Sequence, residues 1–136
     1  MKLFFKIFVL FFCFQASAQI SKKFDDGLLK FMDKDFVNAK VIFTEVVKLD
    51  PTNHESYYYI GVCNIKLNLI TESINNFDKA IELNPKYSKA YYNRGVAKFH
   101  LSENESGCLD FRKAVELQPG YDEAIKVIMQ FCKDYK

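Results

Sequence analysis

Few side chains in this 136-residue chain could carry chemistry, and their spacing does not assemble a reaction centre. The two histidines, His54 and His100, share no metal-ligand spacing, and the four cysteines form no Cys-x-x-Cys pair. Paired carboxylates can do general acid–base work, but Asp25-Asp26 and Asp33/Asp35 read as solvated charges at helix ends. His54, shortly after Pro51, reads as a solvated capping residue at a helix start. No glycine-rich phosphate loop or nucleophile elbow is present, and Lys22-Lys23 is too short a basic run to hold nucleic acid. The residues therefore predict a non-catalytic protein with no cofactor, no metal and no nucleic-acid partner. Recognition chemistry remains, carried by 14 Phe and 8 Tyr.

The charge balance divides the chain in two. Lys2 and Lys6 precede an apolar run from Ile7 to Phe14, and Ala16-Ser17-Ala18 is a small-x-small cleavage site before Gln19. Residues 1–18 are expected to be an export signal: the apolar core is too short to span a bilayer, and Leu10, Phe11 and Phe12 before Cys13 do not fit a lipoprotein signal. Without them the balance of 19 basic to 17 acidic residues becomes 17 to 17, so the slight positive charge belongs to the leader. The mature chain is expected to be exported, periplasmic or secreted or peripheral to the outer membrane, with no transmembrane span. The leader's composition looks like that of a Gram-negative envelope protein.

The mature part repeats itself. Pro51, Pro85 and Pro119 recur every 34 residues, as do Gly27, Gly61 and Gly95, and Phe43, Phe77 and Phe111. Residues 54–87 and 88–121 share 12 identities in 34, and a more diverged copy covers 20–53. Within a copy, apolar residues fall at helical spacing in two runs, broken near Asn68, a residue that tolerates the left-handed conformation ending a helix. Each Pro biases its predecessor (Asp50, Asn84, Gln118) away from helix and ends the second run. Gly61, Gly95 and Gly107, with Ala39 and Ser73, are small where two helices would approach closely, and Phe43, Phe77 and Phe111 fill the adjacent space.

These positions resemble the tetratricopeptide repeat family. Tyr57, Gly61, Ser73, Phe77, Ala80 and Pro85 match its pattern, as do Tyr91, Gly95, Gly107, Phe111, Ala114 and Pro119; the first copy matches through Gly27, Ala39, Phe43 and Pro51. The departures are Lys23 at the aromatic position, Val46 for Ala, Asp26 and Arg94 at an apolar place, and Lys30, Asn64 and Lys98 in place of a bulky residue. The resemblance implies an all-α solenoid of three helix-turn-helix repeats, with 122–136 as a capping helix whose apolar face is Ala124, Ile125, Ile128 and Phe131.

The family also implies a concave groove, lined by the first helices, that binds a protein or peptide segment. By register its lining would be Phe24, Leu28 and Phe31, with Ser21 and Met32; then Tyr58, Val62, Ile65 and Lys66, with Glu55; then Lys89, Tyr92, Val96, Phe99 and His100. Phe24, Tyr58 and Tyr92 form one row, expected to be exposed anchors. Phe31, Ile65 and Phe99 form a second, which either faces the groove or is covered by the neighbouring helix. The carboxylate clamp known in the family needs Lys and Asn where this chain has Phe24 and Leu28. A structural subunit of an envelope assembly, or an accessory chaperone for an exported protein, is the alternative function. Three cysteines remain after export, an odd number; they read as buried apolar thiols, or as a Cys108–Cys132 bridge between the last repeat and its cap.

Overall fold

The computed structural model describes the backbone of residues 2–134 and the side chains of residues 15 and 17–134. Most of the export-signal reading, Cys13 included, and the last two residues of the capping segment therefore lie outside the described side chains. Seven helices are described: α1 (Lys2–Met32), α2 (Phe36–Leu49), α3 (His54–Lys66), α4 (Ile70–Leu83), α5 (Ser88–His100), α6 (Asn104–Leu117) and α7 (Asp122–Phe131). Among the described residues there is no strand, and no helix is long and apolar enough to cross a membrane.

The 34-residue period is written into the backbone. The only positive-φ non-glycine residues described are Lys34 (61°), Asn68 (61°) and Ser102 (62°), one at each turn between the helices of a pair. Each sits in the same Schellman closure: the following amide donates to a carbonyl five residues back, Asp35 to Lys30 at 2.9 Å, Leu69 to Asn64 at 2.8 Å and Glu103 to Lys98 at 2.9 Å. The second helices end at Leu49, Leu83 and Leu117, and the residues before the prolines take φ of −134°, −138° and −138°, outside the helical region.

Packing follows the small-against-aromatic pattern. A Cβ built on Gly27, Gly61 or Gly95 would lie 2.8, 2.6 or 2.8 Å from the ring of Phe43, Phe77 or Phe111, so only glycine permits these crossings. The three Phe rings are fully buried, with Ala39, Ser73, Val46, Ala80 and Ala114 beside them. The first copy's departures are those of an end helix. Lys22, Asp26 and Leu29 of α1 are exposed, whereas their α3 equivalents Ser56, Ile60 and Cys63 are buried; Lys23 pairs with Glu45 instead of inserting a ring.

The cap differs from expectation. Asp122, Glu123, Lys126, Lys133 and Asp134 are exposed, but the packed face of α7 is Ala124, Val127 and Ile128 with Cys132 beyond, and Phe131 is 51% exposed. The same register position holds the fully buried Cys63 and Ala97 in α3 and α5, and a Phe ring does not fit there. α7 is also short: it stops at Phe131, where Cys132 forms a disulfide with Cys108 (Cα–Cα 5.6 Å) and its carbonyl accepts from Arg112 Nη2 at 3.0 Å.

Candidate functional site: the face of the first helices

α3 meets α5 directly as well as packing on its own second helix, which places the first helices on the inner side of the array. The first predicted row lies along this side, but it is built into the core rather than standing free of it. The Phe24 ring is 5.4 Å from Phe43, Tyr58 is 6.0 Å from Phe77, and Tyr92 is 5.5 Å from Phe111, so each rests on the buried Phe of its own repeat. All three are half-buried, and the expectation of fully exposed anchors is corrected accordingly. Tyr58 and Tyr92 are flanked by Tyr87 (5.2 Å) and Tyr121 (5.0 Å), residues one period apart that sequence reading left out.

Burial raises the pKa of these phenols. It pushes the Tyr58 and Tyr87 hydroxyls well above the ordinary tyrosine range and Tyr121 up to about 12. Asn93 Nδ2 donates to the Tyr58 hydroxyl at 3.3 Å and to the Lys89 carbonyl at 2.9 Å. His54 is no solvated cap. Asn53 caps α3, while the half-buried His54 ring lies 3.0 Å from Asn84 Nδ2 and edge-on to Tyr87, tying successive repeats together. Ser88 donates to Gln118 at 2.8 Å one period later and does the same.

The second row divides. Phe31 is covered by the next first helix, its ring 5.2 Å from Tyr59, and so belongs to packing. Phe99 lies 5.3 Å from Phe111 and lines a cavity of about 300 Å³ together with Val96, His100, Phe111, Val127 and Phe131. Leu28, Ile65, Val62 and Val96 are half-buried; Lys66, Lys89 and His100 are exposed, as rim residues must be. Tyr59 is the residue that sequence reading missed most completely: its ring stacks on Phe43 at 5.0 Å and 12°.

Arg94, a departure from the repeat pattern, is the centre of a charge network. Its Nε and Nη2 donate to the Asp110 carboxylate at 2.8 and 2.6 Å, and Nη1 donates to Asp78 at 2.6 Å. Lys98 Nζ lies 2.8 Å from Asp110, and the guanidinium carbon is 5.4 Å from the centre of the Tyr91 ring. Burial acts to lower the guanidinium pKa, but the hydrogen bonds and charges of Asp110 and Asp78 outweigh it and raise it. The equivalents of Arg94, Lys98 and Asp110 in the second repeat are Ile60, Asn64 and Asn76, so the network is particular to the third repeat, where it ties α5 to α4 and α6.

Comparison with known proteins agrees with this geometry. One family model, described as TPR repeat, matches residues 64–101, and another, described as tetratricopeptide repeat, matches 88–121. The chain carries tetratricopeptide repeats over residues 64–121. Solved tetratricopeptide structures superpose on most of it. The first such domain of Spaghetti (RPAP3), bound to the HSP90 peptide SRMEEVD, gives a TM-score of 0.82 at 24% identity over 87% of this chain and 94% of that one. The Arabidopsis OM64 domain gives 0.83 at 24% over 87% and 98%. MamA gives 0.77 at 25% over 80% of this chain and 64% of its own. Comparison with curated proteins gives no match.

Proposed function

We propose that this tetratricopeptide repeat protein is a non-catalytic interaction module that holds a segment of a partner protein against its first helices, on the outer side of a bacterial inner membrane. The observation that carries the reading is the inner face itself: neutral, half-buried Tyr58 and Tyr92, apolar Val62 and Val96 between them, and exposed Lys66, Lys89 and His100 at the rim. Such a surface is apolar at its centre and wet at its edge, as interaction surfaces are. Peptides bound to the RPAP3 domains are in keeping with it, although Phe24 and Leu28 remove the clamp chemistry for a terminal carboxylate. Export rests on the leader, and mass spectrometry of the protein from its native host is expected to find a chain beginning at Gln19.

A second reading, a subunit of an envelope assembly held by its outer face, is favoured by Val37, Val41 and Leu49 of α2, each more than half exposed. A photo-crosslinking residue placed at Val62 or at Val41 in the native host separates the two. The groove reading expects a discrete adduct from position 62 and none from 41, and the reverse would establish the assembly reading.

A further inference from the structure

The three places where one first helix follows another are built from the same register positions and closed in different ways. At the first junction Phe24, Phe31 and Phe43 surround Tyr59, whose ring stacks on Phe43 at 5.0 Å and meets Phe31 edge-on at 5.2 Å and Phe24 at 5.9 Å. At the last junction the corresponding residues are Tyr92, Phe99 and Phe111, aromatic in every case, with Phe99 and Tyr92 lying 5.3 and 5.5 Å from Phe111. The position equivalent to Tyr59 there is Val127. In the middle, Asn93 holds that position and is engaged by Tyr58 and Lys89. Replacing a phenol by an isopropyl group beside rings kept at the positions of Phe99 and Phe111 leaves room, and the cavity of about 300 Å³ lined by Val96, Phe99, Phe111 and Val127 lies at that place.

The wall completing this cavity is equally telling. Phe131 replaces the buried Cys63 and Ala97 of the earlier helices and is half-exposed, its ring 6.3 Å from Phe99. We infer that this cavity is the anchoring subsite of the groove and takes an aromatic side chain, phenylalanine or tyrosine, from an extended partner segment, which supplies in trans the ring that Tyr59 supplies in cis. The first junction is the argument for the occupant: the same chain, on the two aromatic walls equivalent to Phe99 and Phe111, is completed by a ring. The subsite is continuous with the inner face through Val96 and His100, and it rests on the groove reading above for the rest of the partner's contacts.

The test uses the full chain and two probes. N-acetyl-phenylalaninamide is titrated while the methyl signals of Val96 and Val127 are followed by NMR, with N-acetyl-glycinamide as the ringless control. The expected result is saturable shifts of these methyls with the aromatic amide only, and loss of the Val96 shift in Val127→Tyr, whose phenol fills the site from within; Phe131→Ala, at an exposed position, weakens the response without disturbing the core. No saturable shift in the wild type, or an equal Val96 shift in Val127→Tyr with an unchanged melting profile, overturns the inference. In parallel, 12-residue peptides are selected from a displayed library on the wild-type chain. Selected peptides carrying an aromatic residue and binding Val127→Tyr about tenfold more weakly support the subsite. Selected peptides without aromatic preference and indifferent to Val127→Tyr overturn it and leave the groove reading standing. Methyl shifts with the amide but no selected peptide support the subsite and count against the groove.

Discussion

The two ends of the array solve one packing problem by different means. At the N-terminal junction Phe24, Phe31, Phe36, Phe43 and Tyr59 interlock, and the nearby Cys63 is a buried free thiol with its pKa pushed up to about 11 by burial. At the C-terminal junction no ring takes the place of Tyr59; the Cys108–Cys132 disulfide ties the end of α7 to α6, and Arg94 and Lys98 of α5 pair with Asp110 of α6. The difference teaches that register and chemistry are separable: a 34-residue backbone is kept while the closing device changes from rings to a covalent bond and ions. The end closed covalently is also the one that keeps space above its buried Phe.

The largest effect should come from the buried rings. Phe43→Ala removes the surface on which Tyr59, Phe24 and Gly27 all rest and is expected to cost about 5 kcal/mol; Phe111→Ala, whose ring already borders a cavity, should cost nearer 3 kcal/mol. Urea unfolding of both variants checks the order, and equal costs would erase the contrast between the ends. Next, removing the disulfide, which closes a 24-residue separation, should cost roughly 3 kcal/mol. Hydrogen exchange should show the loss first in α7 and leave α1–α3 unchanged; uniform loss would mean that the ends are not independent.

The charge network should behave as a unit. Asp110→Ala leaves the half-buried Arg94 with Asp78 alone and takes from Lys98 its carboxylate, and is expected to cost about 3 kcal/mol, whereas Arg94→Ile with Asp110→Ile should return to within about 1 kcal/mol of wild type, as measured by thermal unfolding. The double variant copies residues the chain already uses at those positions, Ile60 in the second repeat and Ile42 in the first. The smallest expected effect is at the turns: Lys34→Gly and Ser102→Gly relieve a left-handed side-chain residue and should each add about 0.5 kcal/mol, while Asn68→Gly adds less, because Asn bears that conformation better.

The period made most of the fold legible. Three glycines, three phenylalanines and three prolines, each repeating at 34 residues, specify the helix pairs, the Gly-against-Phe crossings and the proline-bounded ends. Asn68 identified itself as a left-handed residue by type; Lys34 and Ser102 could be found only by carrying that assignment across the period, since neither side chain advertises it. The site was less legible. Tyr59 was hidden, and Phe31 was left open between the groove and the next helix, because a ring on a first helix reads alike in both places and only the neighbour's position decides. Arg94 stood out as a misfit because its partners Asp78 and Asp110 lie 16 residues away on either side. Phe131 was misplaced because helical spacing does not register that its position in the repeat holds the small, fully buried Cys63 and Ala97 in the earlier helices.

The most direct test of the account is hydrogen exchange of the full chain with and without a peptide selected on it. Added protection is expected in α3, α5 and α7, strongest around Val96 and Val127, with α2, α4 and α6 unchanged. Protection confined to α2, α4 or α6 would contradict the groove and assign the binding surface to the outer face.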